Sequence, residues 1–226
     1  MFDIDGTLVL TGGAGARAMA RAFEEIFGVR NGLAGIPMAG RTDAWIVAQA
    51  AAIHQVPWDR ARLARFHEAY LTCLAAEVHE PGPRKGIMPG VRALLDALAP
   101  RDDAFLALLT GNFEGGARVK LEYFDLWRYF NCGAFGDETL ERNDLLSTAL
   151  ARVKARGGPA AAPADVVIVG DTPLDVAVAQ AGGVRSVAVA TGGYDAATLA
   201  AAGADVVLED FADLTAALAA MGVGDR

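Results

Sequence analysis

The sequence lacks the features of secreted, membrane-spanning and nucleic-acid-binding proteins. Its only cysteines, Cys73 and Cys132, follow no recognisable signal peptide, so we expect both to be reduced and the protein to be cytoplasmic. Its apolar runs, such as 105–109 and 166–169, are far shorter than the roughly 20 residues that cross a bilayer. No lysine- and arginine-rich cluster offsets the net charge of −8, which repels polyphosphate. We therefore expect neither a membrane nor a nucleic-acid partner.

The rest of the composition is that of a globular protein. The chain has 226 residues, of which 53% are hydrophobic, enough for one large domain or for a core with an accessory domain. Short β-rich runs alternate with longer helical patterns, which predicts an α/β fold with a Rossmann-like, doubly wound parallel sheet. The predicted strands span 1–4, 105–109, 131–135, 166–169, 186–190 and 205–208.

A long insert separates the first two predicted strands. They lie about one hundred residues apart, whereas a crossover connection with its helix needs at most a few dozen. An inserted α-helical domain is therefore predicted over 12–86, and the α/β core over 1–11 and 87–226. The predicted helices of the insert span 14–27, 42–53 and 59–78.

Two acidic residues follow the first predicted strand. Asp3 and Asp5 stand before Gly6, at the carboxyl end where doubly wound sheets bind ligands. Alternation along the strand points both side chains the same way, so they can bind a hard cation, with one as nucleophile and the other handling protons. A surface turn is the alternative, since Asp-Gly is a common turn pair. Only Met1 and Phe2 precede Asp3, so we expect several more apolar residues upstream in the natural reading frame.

Polar residues also follow two later predicted strands. Thr110, Gly111 and Asn112 follow the second strand, and their hydroxyl and N–H groups can hold phosphate oxygens. An ordinary turn with Asn112 as a helix cap is the alternative. Asp171 and Asp175 follow the fourth strand. Asp171 can complete a metal site that Asp175 orients. Capping of the following helix is the alternative for both residues. Three such strand ends in one α/β chain favour a single site.

These segments resemble three motifs of the haloacid dehalogenase superfamily, and the resemblance spans nearly the whole chain. Segment 3–7 is similar to the first motif, 110–112 to the second and 170–175 to the fourth. The insert lies where that family carries a helical cap domain. The resemblance implies a hydrolase similar to the phosphoglycolate phosphatases, dependent on Mg²⁺.

The resemblance implies a role for each matched residue. Asp3 would attack the phosphorus of a small phosphate monoester, such as phosphoglycolate or a sugar phosphate, to give an aspartyl-phosphate. Asp5 would protonate the leaving alcohol and then activate water. Mg²⁺ would be held by the Asp3 carboxylate, the Asp5 backbone carbonyl and Asp171, with Asp175 orienting the site from behind. The groups implied to steady the phosphate are the Thr110 hydroxyl and the amides of Gly111 and Asn112.

Two positively charged residues are assigned less directly. The third motif of the family is a lysine, for which Arg142 is the best match, because its planar fork can contact two oxygens. Lys120 and Lys154 are alternatives, but both fall in predicted helices, where an exposed helix face is the simpler interpretation. Arg41 lies in a segment similar to the substrate-facing cap motif and is expected to contact an anionic substrate or a core carboxylate. A helix N-terminus capped by the residues that follow it is the alternative for this segment.

Other functions are weighed against a phosphatase. Asp5 disfavours dehalogenation, because the related dehalogenases lack this second aspartate. The absence of lysine between residues 12 and 80 argues against a phosphonatase and weakens a mutase that uses a cap lysine. A phosphotransferase or mutase of the same superfamily and a non-catalytic phospho-ligand-binding regulator are the alternatives, and the large insert argues against a signalling receiver. The expected partner is a small-molecule phosphate ester, and the expected state is a monomer or homodimer.

Overall fold

The computed structural model describes residues 1–137 and 139–224, in which strands and helices alternate. The strands are β1 (Val9–Leu10), β2 (Gly86–Ile87), β3 (Ala107–Leu109), β4 (Cys132–Ala134), β5 (Val167–Gly170), β6 (Arg185–Val189) and β7 (Val206–Leu208). The helices are α1 (Ala14–Phe27), α2 (Asp43–Ile53), α3 (Arg60–Glu77), α4 (Val91–Leu98), α5 (Glu114–Tyr123), α6 (Leu145–Ala155), α7 (Pro173–Gly182), α8 (Ala196–Ala201) and α9 (Leu214–Ala220). Short 3₁₀ turns span Trp127–Tyr129, Arg142–Asp144 and Pro163–Asp165.

The central sheet is parallel, and the first residues of the chain lie at its middle. Phe2 forms bridges to Leu108 of β3 and to Val169 of β5, so the order is β4, β3, Phe2, β5, β6, β7. The first predicted strand pairs at Phe2 alone, because the chain turns at Ile4, whose carbonyl oxygen accepts a backbone hydrogen bond from Leu8. The other predicted strands form within two residues of their expected bounds, and the predicted α/β class is confirmed.

Helices bury apolar side chains against both faces of this sheet. On one face, α4 contributes a stripe at helical spacing: Val91, Leu94, Leu95 and Leu98. On the other face, α6 and α7 pack on Leu109 and Ile168 through Leu145, Leu146, Ala149, Val178 and Ala179. Each fully buried leucine contributes about 1.5–3 kcal/mol relative to an exposed one, so these contacts fix the sheet and its strand ends.

The helical insert, residues 12–86, has an apolar cluster of its own. Phe23 of α1 and Phe66 and Tyr70 of α3 are its largest fully buried side chains. Phe113, which begins the turn into α5 of the core, joins this cluster with its ring 6.0 Å from that of Tyr70. The bounds of α1 are those expected, and α2 and α3 each begin one residue later than expected.

Two sequence expectations concern membranes and disulfides. In the described parts of the chain, no helix combines the length and the apolar character needed to cross a bilayer. Cys73 is buried in α3 and Cys132 is half-buried in β4, and both are free thiols. The expectation that both cysteines are reduced agrees with these free thiols, although only Cys73 is a buried core residue.

The two segments that connect the insert to the core touch each other at Gly12 and Gly82. Gly12 has a φ of 64°, in the left-handed region that favours glycine. A Cβ on Gly82 would lie 2.1 Å from the Gly12 carbonyl oxygen. The same carbonyl accepts a hydrogen bond of 2.7 Å from Arg17 Nη1, and Arg17 Nε donates to Glu77 at 2.7 Å. A close backbone contact and a paired arginine therefore fix the crossing of the two segments.

A methyl group at this crossing tests the contact. We expect Gly82→Ala to lower the free energy of unfolding by about 1–3 kcal/mol, because the backbone of Gly12 must move to admit the added carbon. Gly86→Ala is the matched control, since a Cβ there meets no atom of the described residues within 4 Å. Thermal denaturation of both variants is the measurement. Equal melting temperatures for the two variants would contradict the close contact.

Candidate active site

The predicted site residues meet at the carboxyl ends of three neighbouring sheet positions. Asp3 follows Phe2, Thr110 follows β3 and Asp171 follows β5. Asp3, Asp171 and Asp175 are all buried, and each offers a carboxylate oxygen within 4.8 Å of the others. Asp3, Asp5 and Asp171 line a cavity of about 420 Å³ between the core and the insert. The order of the strands therefore brings together residues that lie far apart in the sequence.

Burial makes the negative charge of this cluster costly. Burial raises the pKa of Asp3 to about 6, with a further increase from the charge of Asp175, while Arg142 acts in the opposite direction. Burial also raises the pKa of Asp171 well above its usual range, and the neighbouring carboxylates raise it further. A bound cation would favour the ionised forms of both groups. The oxygen donors and this unbalanced charge fit a hard divalent ion such as Mg²⁺.

Arg142 is the positive charge beside the carboxylates, as the sequence indicates. Its guanidinium is buried, and Nη2 lies 3.0 Å from Asp3 Oδ2 and also donates to Asp175 Oδ1. Nη1 donates to the carbonyl of Gly40 in the insert at 3.0 Å. Nε is buried and has no hydrogen-bond partner among the described residues. Arg142 therefore joins core and insert through the other two nitrogens of its guanidinium.

Asp175 holds its neighbours in place from behind the cavity. Its Oδ2 accepts hydrogen bonds from the backbone N–H of Thr172, at 3.1 Å, and from the Thr172 hydroxyl, at 2.8 Å, at the start of α7. Its Oδ1 holds Arg142. Thr7, which the sequence does not single out, donates its hydroxyl to Asp171 Oδ1 at 3.0 Å. Both carboxylates are thus oriented by hydroxyl groups from loops at the strand ends.

Asp5 lies beside the carboxylate cluster rather than within it. Its side chain is 40% exposed, and its Oδ2 accepts hydrogen bonds from Lys120 Nζ at 2.6 Å and from Asn112 Nδ2 at 2.9 Å. Lys120 is only 4% exposed, so its interpretation as part of an exposed helix face is wrong. The reason is the orientation of α5, which buries Gly116, Ala117, Lys120 and Leu121. Lys154, by contrast, is exposed on α6, as expected.

The loop after β3 connects Asp3 with Asp5. The Thr110 side chain hydrogen-bonds to Asp3, and its hydroxyl oxygen accepts from Asn112 Nδ2 at 2.9 Å. The Asn112 N–H, expected to face phosphate, instead points to the Thr110 hydroxyl at 3.3 Å, because the turn folds back on itself. Gly111 packs against the insert: a Cβ there would lie 2.1 Å from the carbonyl oxygen of Arg41.

The loop that carries Arg41 lies against the core. Arg41 is exposed at the cavity wall, and its guanidinium stands 4.5 Å from the ring centre of Trp45. Thr42 caps α2, since its hydroxyl accepts from Trp45 N at 3.1 Å. Its neighbour Asp43 is free to turn inward, and its Oδ2 accepts from Phe113 N at 2.9 Å. The backbone N–H of Asp43 donates to Gly111 at 2.7 Å. Asp43 therefore fastens the insert to the core.

In the sequence, Asp43 ends the segment that resembles the substrate-facing cap motif and is also a candidate helix cap, but neither interpretation predicts this buried contact. Burial raises the pKa of Asp43 to about 7, although the charge of Lys120 and the Phe113 N–H lower it. The raised pKa identifies a carboxyl whose charged form is poorly solvated at the contact between insert and core.

Comparisons with known proteins agree with this geometry. The sequence profile described as haloacid dehalogenase-like hydrolase matches residues 1–189, so the chain belongs to this family. It is 33% identical over 224 residues to a phosphoglycolate phosphatase of Rhodospirillum rubrum, covering 95% of this chain and 88% of the relative. It is 30% identical over 224 residues to a phosphoglycolate phosphatase of Agrobacterium fabrum, covering 96% and 91%. These matches confirm the predicted family and the predicted class of enzyme, a phosphatase.

A solved structure supports the fold independently. A hydrolase from Pseudomonas syringae superposes with a TM-score of 0.69 at 22% identity, covering 99% of this chain and 98% of the other. At this level of identity the likeness concerns the fold alone.

The raised pKa of Asp43 predicts a pH-dependent effect of Asp43→Asn. The folded protein holds the Asp43 proton more tightly than the unfolded chain does. The contribution of Asp43 to the free energy of unfolding is therefore fully present below about pH 4, and it is lost as the pH rises to about 7. Asparagine keeps the acceptor for Phe113 N without the charge. We therefore expect Asp43→Asn to melt above the wild type at pH 8, by a margin that shrinks at pH 5 and vanishes below pH 4.

Melting curves at these three pH values are the measurement. Asp102→Asn is the matched control, because Asp102 is exposed and its substitution is expected to shift the melting temperature equally at each pH. A margin for Asp43→Asn that is constant with pH would contradict the raised pKa.

Proposed function

We propose that the protein hydrolyses a small phosphate monoester through an aspartyl-phosphate intermediate on Asp3. The main support is the position of Asp3: a buried carboxylate at a strand end, beside Arg142, in a cavity that it shares with Asp5. A buried nucleophile next to a cation is suited to an anionic substrate, because the cation offsets the repulsion between carboxylate and phosphate.

The reaction proceeds in two half-reactions. In the first, an Asp3 oxygen attacks phosphorus while the bond from phosphorus to the leaving alcohol breaks, and Asp5 gives its proton to the alcohol oxygen. In the second, Asp5 takes a proton from water, whose oxygen attacks the same phosphorus. The bond between Asp3 and phosphorus then breaks, which releases inorganic phosphate and restores the free carboxylate. Arg142, which lines the cavity beside Asp3, is the cation suited to the phosphate oxygens, whereas the Thr110 side chain is fully buried behind the lining.

The cofactor of this proposal is Mg²⁺, held by Asp3, Asp171 and the Asp5 backbone carbonyl. The close, buried carboxylates and their raised pKa values support a divalent ion at this position. When bound, Mg²⁺ would supply charge neutralisation for the phosphate group. Asp175 keeps its role behind the cavity, because both of its oxygens are already occupied by Arg142 and Thr172.

The substrate class follows from the remaining wall of the cavity. The lining includes the apolar side chains of Met19 and Met38 and the guanidinium groups of Arg41 and Arg84. A small leaving group that carries its own negative charge would suit this combination of cations and apolar surface. Phosphoglycolate, the substrate in the names of the two relatives, is such a molecule. Residues 12–86 would act as the cap that covers the leaving group and excludes bulk water.

Replacement of Asp3 tests the nucleophile. We expect Asp3→Asn to lower phosphoglycolate hydrolysis by at least about 10³-fold, because an amide oxygen is a poor nucleophile and no covalent intermediate forms. Asp102→Asn at the surface should keep the wild-type rate. Phosphate release is the measurement, with rapid-quench detection of ³²P-labelled protein. If Asp3→Asn retains activity, Asp3 is not the nucleophile. If the wild type binds Mg²⁺ but hydrolyses no phosphate ester in a broad panel, the protein is better described as a phospho-ligand-binding regulator.

Removal of the metal tests the cofactor. We expect chelation with EDTA to abolish hydrolysis and added Mg²⁺ to restore it. Mg²⁺ should also raise the melting temperature of the wild type, because it relieves the repulsion between Asp3 and Asp171, and it should raise that of Asp171→Asn much less. Full activity in EDTA, or an equal thermal shift in both proteins, would contradict the proposed metal site.

A further inference from the structure

Lys120 is a buried charge that the mechanism above does not use. Its ammonium contacts only two side-chain oxygens among the described residues, Asp5 Oδ2 and Asn112 Oδ1, each at 2.6 Å. Burial of an ammonium group is costly unless it is paired, so the lysine is held by its contact with the carboxylate of Asp5. Arg142, and not Lys120, pairs with Asp3, so Lys120 does not stand in for the lysine of the third motif.

The insert covers this ion pair. A Cβ on Gly15 of α1 would lie 3.1 Å from Lys120 Nζ and 4.0 Å from the Tyr70 hydroxyl, so α1 and α3 close directly over the ammonium. Exclusion of water strengthens a charge-assisted hydrogen bond. The side chain of Asp5 is itself 40% exposed, which leaves it open to the cavity while its partner is covered.

The contacts select one oxygen of Asp5. Its side-chain hydrogen bonds within the described residues both fall on Oδ2, from Lys120 and from Asn112. Asn112 is in turn held by Thr110, whose side chain also contacts Asp3. With Oδ2 occupied, Oδ1 is the oxygen left to exchange a proton with the leaving group and with water. Two hydrogen bonds to the same oxygen restrict the rotamer of Asp5, and general acid catalysis requires a proton donor of fixed orientation.

We propose that Lys120 is a positioning residue that holds Asp5 in the orientation needed to protonate the leaving alcohol, an inference that rests on the proposed phosphatase function. Lys120 acts through Asp5 and transfers no proton itself. In the first half-reaction, Lys120 therefore matters only where the leaving group needs a proton.

A series of leaving groups tests this role. The wild type, Lys120→Met and Lys120→Gln are compared on phosphoglycolate, phenyl phosphate, p-nitrophenyl phosphate and 2,4-dinitrophenyl phosphate with saturating Mg²⁺. We expect Lys120→Met to lower kcat/KM, which reports the steps up to release of the alcohol, by roughly 10²-fold for the first two, whose leaving alcohols are weak acids. For 2,4-dinitrophenyl phosphate, which departs without protonation, we expect a decrease of less than about 3-fold. Lys120→Gln keeps a donor and should fall between the wild type and Lys120→Met.

Lys154→Met is the matched control, because Lys154 is exposed on α6 and lies outside the cavity lining; it should keep the wild-type kcat/KM on all four substrates. Equal losses of kcat/KM across the series for Lys120→Met would mean that Lys120 has a merely structural role or binds the phosphate group directly, and either result would overturn the proposal.

A double-mutant cycle tests whether the effect of Lys120 on the reaction depends on Asp5. In an Asp5→Asn background, we expect Lys120→Met to change kcat/KM for phenyl phosphate by less than about 3-fold, because the group that it positions is gone. A loss as large as in the wild-type background would overturn the proposal. Thermal melting of each variant checks folding, and Lys120→Gln supplies the comparison if Lys120→Met does not fold. Absence of hydrolysis by the wild type would instead refute the proposed function itself.

Discussion

The contact of Arg142 with Asp3 and Asp175 is the interaction on which the site depends. Asp3, Asp171 and Asp175 are buried within 4.8 Å of one another, and such a cluster is not stable without positive charge nearby. Arg142 supplies that charge from the core and donates to Gly40 of the insert as well. The group that neutralises the carboxylates therefore also helps to hold the insert over them, which couples closure of the cavity to the charge of the site.

Two further contacts at the cavity also involve buried charged side chains. Asp43 reaches from the insert to the backbone of the loop after β3, and Lys120 reaches from α5 to Asp5 beneath α1. The charge of Lys120 also lowers the pKa of Asp43, so the lysine stabilises one carboxylate of the core and one of the insert. Insert and core thus meet through buried charged groups as well as through the ring of Phe113, which packs in the apolar cluster of the insert. Polar contacts of this kind are sensitive to pH and to bound ions, as the predicted behaviour of Asp43→Asn illustrates.

In the proposed reaction, the candidate site divides into groups that would act on phosphorus and groups that would act on the leaving alcohol. Asp3 and Arg142 belong to the first set, and Asp5 with Lys120 and Asn112 to the second. Thr110 touches both, since its side chain contacts Asp3 and accepts from Asn112. A single short loop therefore connects the proposed nucleophile with the proposed proton donor.

The local order of residues by itself determined the α/β class, the long insert and the acidic strand ends, because periodicity and turn residues act over short distances. Asp3 and Asp171 were predicted to lie close together for this reason, because both stand at the ends of recognisable strands, whereas Arg142 was suggested by the family resemblance. Only the tertiary structure decided the roles of Lys120 and Asp43. A lysine in a helix and an aspartate beside a helix cap look like exposed residues in the sequence, and their burial depends on which face of α5 and which loop of the insert meet across the cavity. Those contacts join residues about 70 to more than 100 positions apart, a relation that local patterns do not carry.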